Sequence, residues 1–208
     1  MSEAEKLADV SWNKALEELL CEEAEKCSGL SWLHNKAEML YSNRTTYLQL
    51  PIIIFSAISG FASGIAPADA VSQASVGAVS ILVAILGSIN SYFGFAKRSE
   101  GHRIAAIQYA QMCRALRIEM NLPEEQRTPP KVLLRMIKED LKRLSETAPR
   151  VPVEMLKLYR QEIVPHSENV SHPEITNGIE SVKPYHAEEV KNEIVSPKPE
   201  IRVRFQEV

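Results

Sequence analysis

Two of the five histidines, His34 and His102, stand out as groups that could do chemistry. Each lies among apolar residues repeated at helical spacing, close to one end of a long uncharged segment. An imidazole in such a place is a metal ligand, a pH sensor or a buried histidine satisfied by a hydrogen bond. The apolar surroundings favour the buried, hydrogen-bonded histidine over the other two interpretations.

The remaining reactive residues do not assemble into a catalytic pattern. Cys21, Cys27 and Cys113 are odd in number and lack the spacing of a zinc site. Cys21 and Cys27 are six residues apart in a helical pattern, which places them on different faces and argues against a disulfide. No carboxylate pair, nucleophile with a base or glycine-rich phosphate loop occurs at a suitable spacing. We therefore expect no enzyme, cofactor, metal or small-molecule substrate.

The distribution of charge is the most informative property of the sequence. Between Arg44 and Lys97 the chain carries one charged side chain, Asp69, while both flanking segments are rich in charge. The net charge is −3, whereas a nucleic-acid binder is usually strongly basic, so we expect no nucleic-acid partner. The uncharged segment predicts insertion into a lipid bilayer.

This segment fits two membrane spans better than one. Its roughly 50 residues would form a helix of about 75 Å, whereas a bilayer core is roughly 30 Å thick. Pro67 cannot continue a helix and Asp69 is a good N-cap, so the spans are predicted at about 48–66 and 71–95. An acid at the centre of a span costs about 2.5–3.5 kcal/mol, which also favours Asp69 in a water-exposed turn.

The alternative is a soluble protein in which the same two helices form a buried core hairpin. The rest of the chain has too little polar helix to cover two long apolar helices, which favours the membrane. Positive residues flank the hairpin at Lys36, Arg44, Lys97, Arg98 and Arg103. By the positive-inside rule, both termini are predicted to be cytoplasmic.

Small and weakly polar residues line one face of each predicted span. These are Ser56, Ser59, Gly60, Ser63 and Gly64 in the first span, and Gln73, Gly77, Ser80, Ala84, Gly87, Ser88 and Ser91 in the second. Such faces allow close helix packing, and in an oligomer they could instead line a water-filled path. Asn90 could bridge helices within an oligomer or lie near the headgroups. The absence of charge inside either span argues against a proton relay or a coupled transporter.

Amphipathic helices on both sides of the hairpin predict an all-α protein with a cytoplasmic helical bundle. The predicted segments are an N-terminal helix within 1–29, a membrane domain over 30–164 with bundle helices at about 97–121, 129–147 and 152–163, and a tail over 165–208. Pro51 predicts a kink or a new helix with the proline in its first turn. The tail is polar and rich in proline, so we expect it to be disordered. The alternative is that its end, EIRVRFQEV, adds a strand to the sheet edge of a partner protein.

The order of these features resembles the SLATT family of two-helix membrane proteins, which are associated with nucleotide-signalling SMODS and SLOG proteins. The resemblance covers roughly Trp12 to Ile163 and is carried by SWLHNKAEMLYSNRTTYLQLPIIIFSAISGFASG and KRSEGHRIAAIQYAQMCRALRIEM. Its marked residues are Trp32, His34, Tyr41, Pro51, Gly60 and His102. It implies a homo-oligomeric effector that perturbs or permeabilises a membrane. The long polar tail departs from the bacterial members and weakens the link to a nucleotide signal.

Two functions follow from the sequence. The first is a two-span integral membrane protein that self-associates and, as an oligomer, perturbs a membrane or forms a pore. The second is a structural anchor or scaffold in an organelle or virion membrane, whose cytoplasmic tail binds a partner protein.

Overall fold

The computed structural model describes residues 11–65, 70–167 and 169–177. Within these ranges the chain is all-α, as the sequence predicts, and contains no strand. The described α-helices are α1 (Lys14–Ile65), α2 (Ala70–Phe93), α3 (Phe95–Met120), α4 (Pro130–Thr147), α5 (Val153–Glu162) and α6 (Glu174–Asn177). Two 3₁₀ turns, Glu124–Gln126 and Val164–His166, join some of them.

Helix α1 is the longest element, with 52 residues and a length of roughly 78 Å. It joins the region predicted as an N-terminal helix to the first predicted span without a break. Pro51 lies inside the helix, so no new helix begins there. The bundle and the hairpin therefore share one continuous helix.

A single glycine separates α2 from α3. Gly94 has φ 55° and ψ 40°, which is the left-handed conformation that a residue with a Cβ adopts at a cost. Its N–H donates to the Asn90 carbonyl and its own carbonyl accepts the Arg98 N–H, both at 3.1 Å. The second predicted span and the following helix, placed at 71–95 and 97–121, meet at this residue.

The core of the protein lies at one end of the long hairpin. There α1 packs along α3, and α4 adds Ile137 and Leu144 to their interface. The most deeply buried side chains include Leu20, Leu33 and Leu116. Burial of this apolar surface holds the bundle together without any contribution from the hairpin's far end.

The other end of the hairpin is almost entirely exposed. Where α1 packs against α2, Ser59 is the one buried residue of those described between 45 and 93. Phe61 is 72% exposed and Ile81 is 64% exposed, and other large aliphatic side chains on both helices are similarly open. Two helices are thus long and apolar enough to cross a membrane. They do not form the buried core hairpin of the soluble alternative.

The folded part extends beyond residue 164, where the sequence predicts the tail to begin. Residues 171–177 fold back onto α1 and α5, and α6 ends the described chain at Asn177. The sequence misses this because the segment is short and has no apolar periodicity. The rest of the predicted tail, 178–208, lies outside the described residues.

Candidate functional site

The two candidate histidines face each other between the long helices. His34 and Tyr41 are seven residues apart on α1, as are His102 and Tyr109 on α3. Seven residues make about two helical turns, so each pair lies on one face of its helix. The packing of α1 against α3 brings the two faces together.

The rings of these residues continue into a stack that runs toward the hairpin. Centroid distances are 5.6 Å for Tyr109–His34, 5.0 Å for His34–His102, 5.4 Å for His102–Tyr41, 6.1 Å for Tyr41–Phe95 and 5.3 Å for Phe95–Phe93. We call these six side chains the ring ladder. It joins the bundle core to the start of the exposed hairpin through aromatic contacts, which favour one alignment of the two helices.

The histidine pair at the centre of the ladder is joined directly. The Nδ1 atoms of His34 and His102 lie 2.9 Å apart, and the residues are 2% and 1% exposed. A hydrogen bond between two imidazole nitrogens needs one nitrogen to donate and the other to accept. At least one ring is therefore neutral, and a second positive charge on the pair would break the bond.

The surroundings favour the fully neutral pair. Burial and the neighbouring His102 lower the pKa of His34 from its usual 6.5 to about 4. Burial also lowers the pKa of His102. Burial raises the pKa of the adjacent Tyr109 hydroxyl, so this group is neutral as well. At neutral pH the histidine pair is therefore an uncharged hydrogen bond within an apolar interface.

Two further hydrogen bonds fix α1 against α3 on either side of the pair. The Ser31 hydroxyl donates to the Ala106 carbonyl at 3.0 Å, and the Ser99 hydroxyl donates to the Glu38 carbonyl at 3.3 Å. These bonds set the register of the helices because each joins a side chain of one helix to the backbone of the other. The histidine interpretation that the geometry supports is the buried, hydrogen-bonded one.

Two of the three cysteines are buried in the core of the bundle. Among the described residues, no group of three or more His, Cys, Asp or Glu could hold a metal ion. Cys27 and Cys113 are buried free thiols, and burial, with Glu23, Cys113 and Glu174 adding to it, raises the pKa of Cys27 to about 12. A protonated buried thiol is a poor nucleophile. A cleft of about 270 Å³ between α3 and α4 is lined by Gly101, Gln108 and Arg143 among others and contains no pairing of a nucleophile with a base.

The small residues of the predicted spans divide into two groups. Ser59 and Ser80 join α1 to α2 through their hydroxyl oxygens, which are 2.8 Å apart. A Cβ added at Gly60, Gly64, Gly77 or Gly87 would meet no atom within 4 Å, so these glycines are not needed for packing within the described chain. The serines therefore join the two helices of the hairpin, whereas the glycines lie on its open surface.

The other polar candidates of the spans differ in their surroundings. The Ser63 hydroxyl donates to the Ser59 carbonyl at 2.7 Å, and the Ser88 hydroxyl donates to the Ala84 carbonyl at 2.8 Å. Ser56 and Gln73 are exposed, and Asn90 is half-buried. The predicted turn residues Pro67 and Asp69 lie outside the described residues.

A second cluster, which we call the clasp, holds residues 171–177 on the bundle. The Ser171 N–H donates to Glu25 Oε2 at 2.7 Å, and Lys26 Nζ lies 3.0 Å from Glu174 Oε1. The Tyr159 hydroxyl lies 3.0 Å from His172 Nδ1, and Arg160 Nε donates to the Thr176 carbonyl at 2.7 Å. The clasp thus fixes the described chain to the bundle up to Asn177.

Gly29 makes the clasp possible. A Cβ at this position would lie 2.7 Å from Pro173 Cδ and 2.8 Å from the Tyr159 hydroxyl oxygen, so only glycine allows this approach. Sequence reasoning missed the clasp, although a glycine inside a helical pattern was a signal that another chain segment lies close. Trp32, a marked residue of the family resemblance, packs edge-on against the same Tyr159 at 5.4 Å.

No protein-family model matches this chain, and neither does any curated protein or solved structure.

Proposed function

We propose that this chain is an integral membrane protein whose α1–α2 hairpin spans a lipid bilayer twice. The observation that supports this most strongly is the exposure of large apolar side chains along the outer half of the hairpin. In water such a surface would be unstable or would aggregate, whereas in hydrocarbon it needs no further cover. The uncharged part of α1 from residue 45 to 65 is roughly 32 Å long and α2 is roughly 36 Å long, which fits a bilayer core of roughly 30 Å.

The second part of the proposal is self-association. The exposed glycines Gly60, Gly64 and Gly77 provide faces on which the helices of a second copy can approach closely. Membrane helices lack a hydrophobic drive to associate with one another, so such close packing is the available source of contact energy. An oligomer built in this way perturbs the bilayer or encloses a path through it, which is also what the resemblance to the SLATT family implies.

The bundle has a supporting role in this proposal. Because α1 is one helix from the core to the far end of the hairpin, the alignment set by the ring ladder fixes the angle of the spans. We propose that both termini lie in the cytoplasm, since Arg44, Lys97 and Arg98 all lie at the same end of the hairpin. The sequon at Asn169 would then remain unglycosylated in a eukaryotic cell.

Dye release from liposomes tests the proposal. Purified protein is reconstituted at increasing density, and the variants Gly60→Leu and Gly77→Leu are compared with Ala78→Leu. Ala78 is also exposed on α2 but faces away from the small-residue face, so it controls for added volume. Release that rises steeply with protein density and falls in the two glycine variants supports a pore built from several copies. Vesicles that stay tight at high density would overturn the permeabilising activity.

The clasp favours a second candidate, the anchor or scaffold. It fixes the chain at Asn177, so a partner bound to residues 178–208 would be held at a defined place on the bundle. A truncation after Asn177 tests this candidate. Loss of a bound partner with unchanged membrane insertion would support the scaffold, and identical partner recovery from the full and truncated chains would exclude it.

A further inference from the structure

Two arginines from different helices lie near the same tyrosine ring, at the end of the hairpin nearest the bundle. The guanidinium carbon of Arg44 on α1 lies 5.8 Å from the centroid of the Tyr41 ring, and that of Arg98 on α3 lies 6.0 Å from it. Tyr41 is itself buried and stacked on His102, so the ring is fixed. Both guanidinium groups therefore lie close to one ring whose position is fixed by its neighbours.

The charges around this point are not balanced. Arg44 forms an exposed ion pair with Glu154 at 3.2 Å. Arg98 and its exposed neighbour Lys97 form no ion pair in the part of the chain that the structure describes. Both guanidinium carbons lie within 6.0 Å of the centroid of the Tyr41 ring, so an anion beside this ring would be attracted to both cations.

The location of the cluster indicates which anion. Arg44 is the last charged residue before the uncharged part of α1, and Lys97 is the first after the uncharged residues that follow Ala70. Tyr47 is 78% exposed and Tyr92 is 86% exposed close to the same level. Exposed tyrosines and positive residues at the end of an apolar segment are typical of the headgroup region of a bilayer. The anion available at that depth is the phosphate of a lipid.

We propose that Arg44 and Arg98 bind the phosphate of an anionic phospholipid headgroup, with Lys97 contributing charge. A guanidinium presents paired N–H donors that match two phosphate oxygens, and a lysine cannot copy this geometry. The lipid phosphate takes the place of Glu154 on Arg44, because the carboxylate is exposed and holds that arginine only weakly. The headgroup then ties α1 to α3 at the level where both enter the membrane.

This site rests on the proposed membrane function, since it requires the cluster to lie at the bilayer surface. The two claims nevertheless have separate tests. Flotation of the protein with vesicles of neutral phosphatidylcholine, resistant to alkaline carbonate, reports insertion without any anionic lipid. Lipid binding in neutral detergent micelles reports the site without any bilayer.

The test of the site is native mass spectrometry of the full chain in neutral detergent with equal amounts of phosphatidylglycerol and phosphatidylcholine. We expect the protein to retain phosphatidylglycerol preferentially. The double variant Arg44→Gln/Arg98→Gln should lower this preference roughly thirtyfold, because each cation near an anionic surface contributes about a fivefold step in affinity. Arg114→Gln/Arg117→Gln removes the same charge from exposed positions further along α3 and should leave the preference unchanged.

Two further variants make the outcome specific. Arg44→Lys/Arg98→Lys keeps the charge and removes the paired donors, so it should lose most of the preference if the headgroup is bound bidentately. Glu154→Gln removes the competing carboxylate and should raise phosphatidylglycerol retention. Equal retention of the two lipids by the wild type, or an unchanged preference in Arg44→Gln/Arg98→Gln, would overturn the site. Full displacement of the lipid by glycerol phosphate would identify a site for a soluble anion and overturn the lipid assignment.

Discussion

His34 Nδ1 and His102 Nδ1 lie 2.9 Å apart in the interface of α1 and α3. The pair sits between Tyr41 and Tyr109 in the ring ladder, close to the level where the buried core gives way to the exposed hairpin. Because the hydrogen bond requires at least one neutral ring, the alignment of the two long helices depends on the protonation of this pair. Several measurable properties of the chain follow from this contact and from those around it.

Mild acid should destabilise the protein through the histidine pair. The pKa of His34 is lowered to about 4 in the folded state, whereas an unfolded histidine titrates near 6.5. The unfolded chain therefore binds more protons, and stability that is complete above about pH 6.5 is lost as the pH falls toward about 4. The loss should reach on the order of 2–3 kcal/mol.

Thermal melting in detergent at about pH 7.5 and about pH 5 measures this effect above the range in which carboxylates titrate. His34→Gln/His102→Gln should melt at nearly the same temperature at both values. His166 is exposed, and His166→Gln serves as the control that keeps the wild-type pH dependence. A wild-type protein with equal melting temperatures at the two pH values would contradict the prediction.

Gly29→Ala should loosen the clasp. The new Cβ would lie 2.7 Å from Pro173, so residues 171–177 must move although alanine favours the helix by up to about 1 kcal/mol. We expect faster amide exchange at 171–177 and faster proteolysis after this segment. Gly101→Ala is the matched control, because its Cβ would meet Pro149 at an ordinary 3.6 Å and alanine should stabilise α3. Equal exchange in the two variants would show that the clasp tolerates the added carbon.

Gly94→Ala should destabilise the junction of α2 and α3. At φ 55° an alanine costs roughly 1–2 kcal/mol, and the strain falls at the residue that sets the direction of α2 relative to the bundle. Gly87→Ala places the same methyl group in open space inside α2 and should not destabilise the protein. The measurement is the melting temperature in detergent, and an increase for Gly94→Ala would rule out the left-handed conformation.

Ser59→Ala and Ser80→Ala should each weaken the hairpin by a similar amount. Their hydroxyl oxygens are 2.8 Å apart, and hydrogen bonds between membrane helices contribute about 0.6 kcal/mol on average. The double variant should therefore cost little more than either single variant. Ser88→Ala is the control, since its hydroxyl bonds to the Ala84 carbonyl of its own helix. Fully additive losses in the double variant would argue against the bond.

The sequence predicts much of the fold because charge and apolar periodicity report burial and exposure directly. The uncharged segment between Arg44 and Lys97 locates the hairpin, and the apolar neighbours of His34 and His102 predict that both are buried. What the sequence cannot supply is the pairing of the two histidines. That pairing depends on the register of α1 against α3, which residues distributed over both helices decide together.

Other features cannot be predicted from the sequence, because each depends on a single contact or backbone angle and not on a repeating pattern. The conformation of Gly94 depends on one backbone angle, and the clasp depends on the space above Gly29. Among the small residues of the spans, the rotation of α1 and α2 about their axes selects Ser59 and Ser80 for contact and leaves Gly60 and Gly64 open. Composition alone treats these residues as equivalent.

The central claim is that the outer half of the α1–α2 hairpin lies in the bilayer, and site-specific labelling in liposomes tests it most directly. In a chain whose exposed Cys21 is replaced by Ser, the variants Ile54→Cys, Ile81→Cys and Arg135→Cys are treated with a membrane-impermeant maleimide. We predict that positions 54 and 81 stay unlabelled until detergent is added, while position 135 on α4 is labelled at once in proteins oriented outward. Rapid labelling at positions 54 and 81 in intact liposomes would contradict the account.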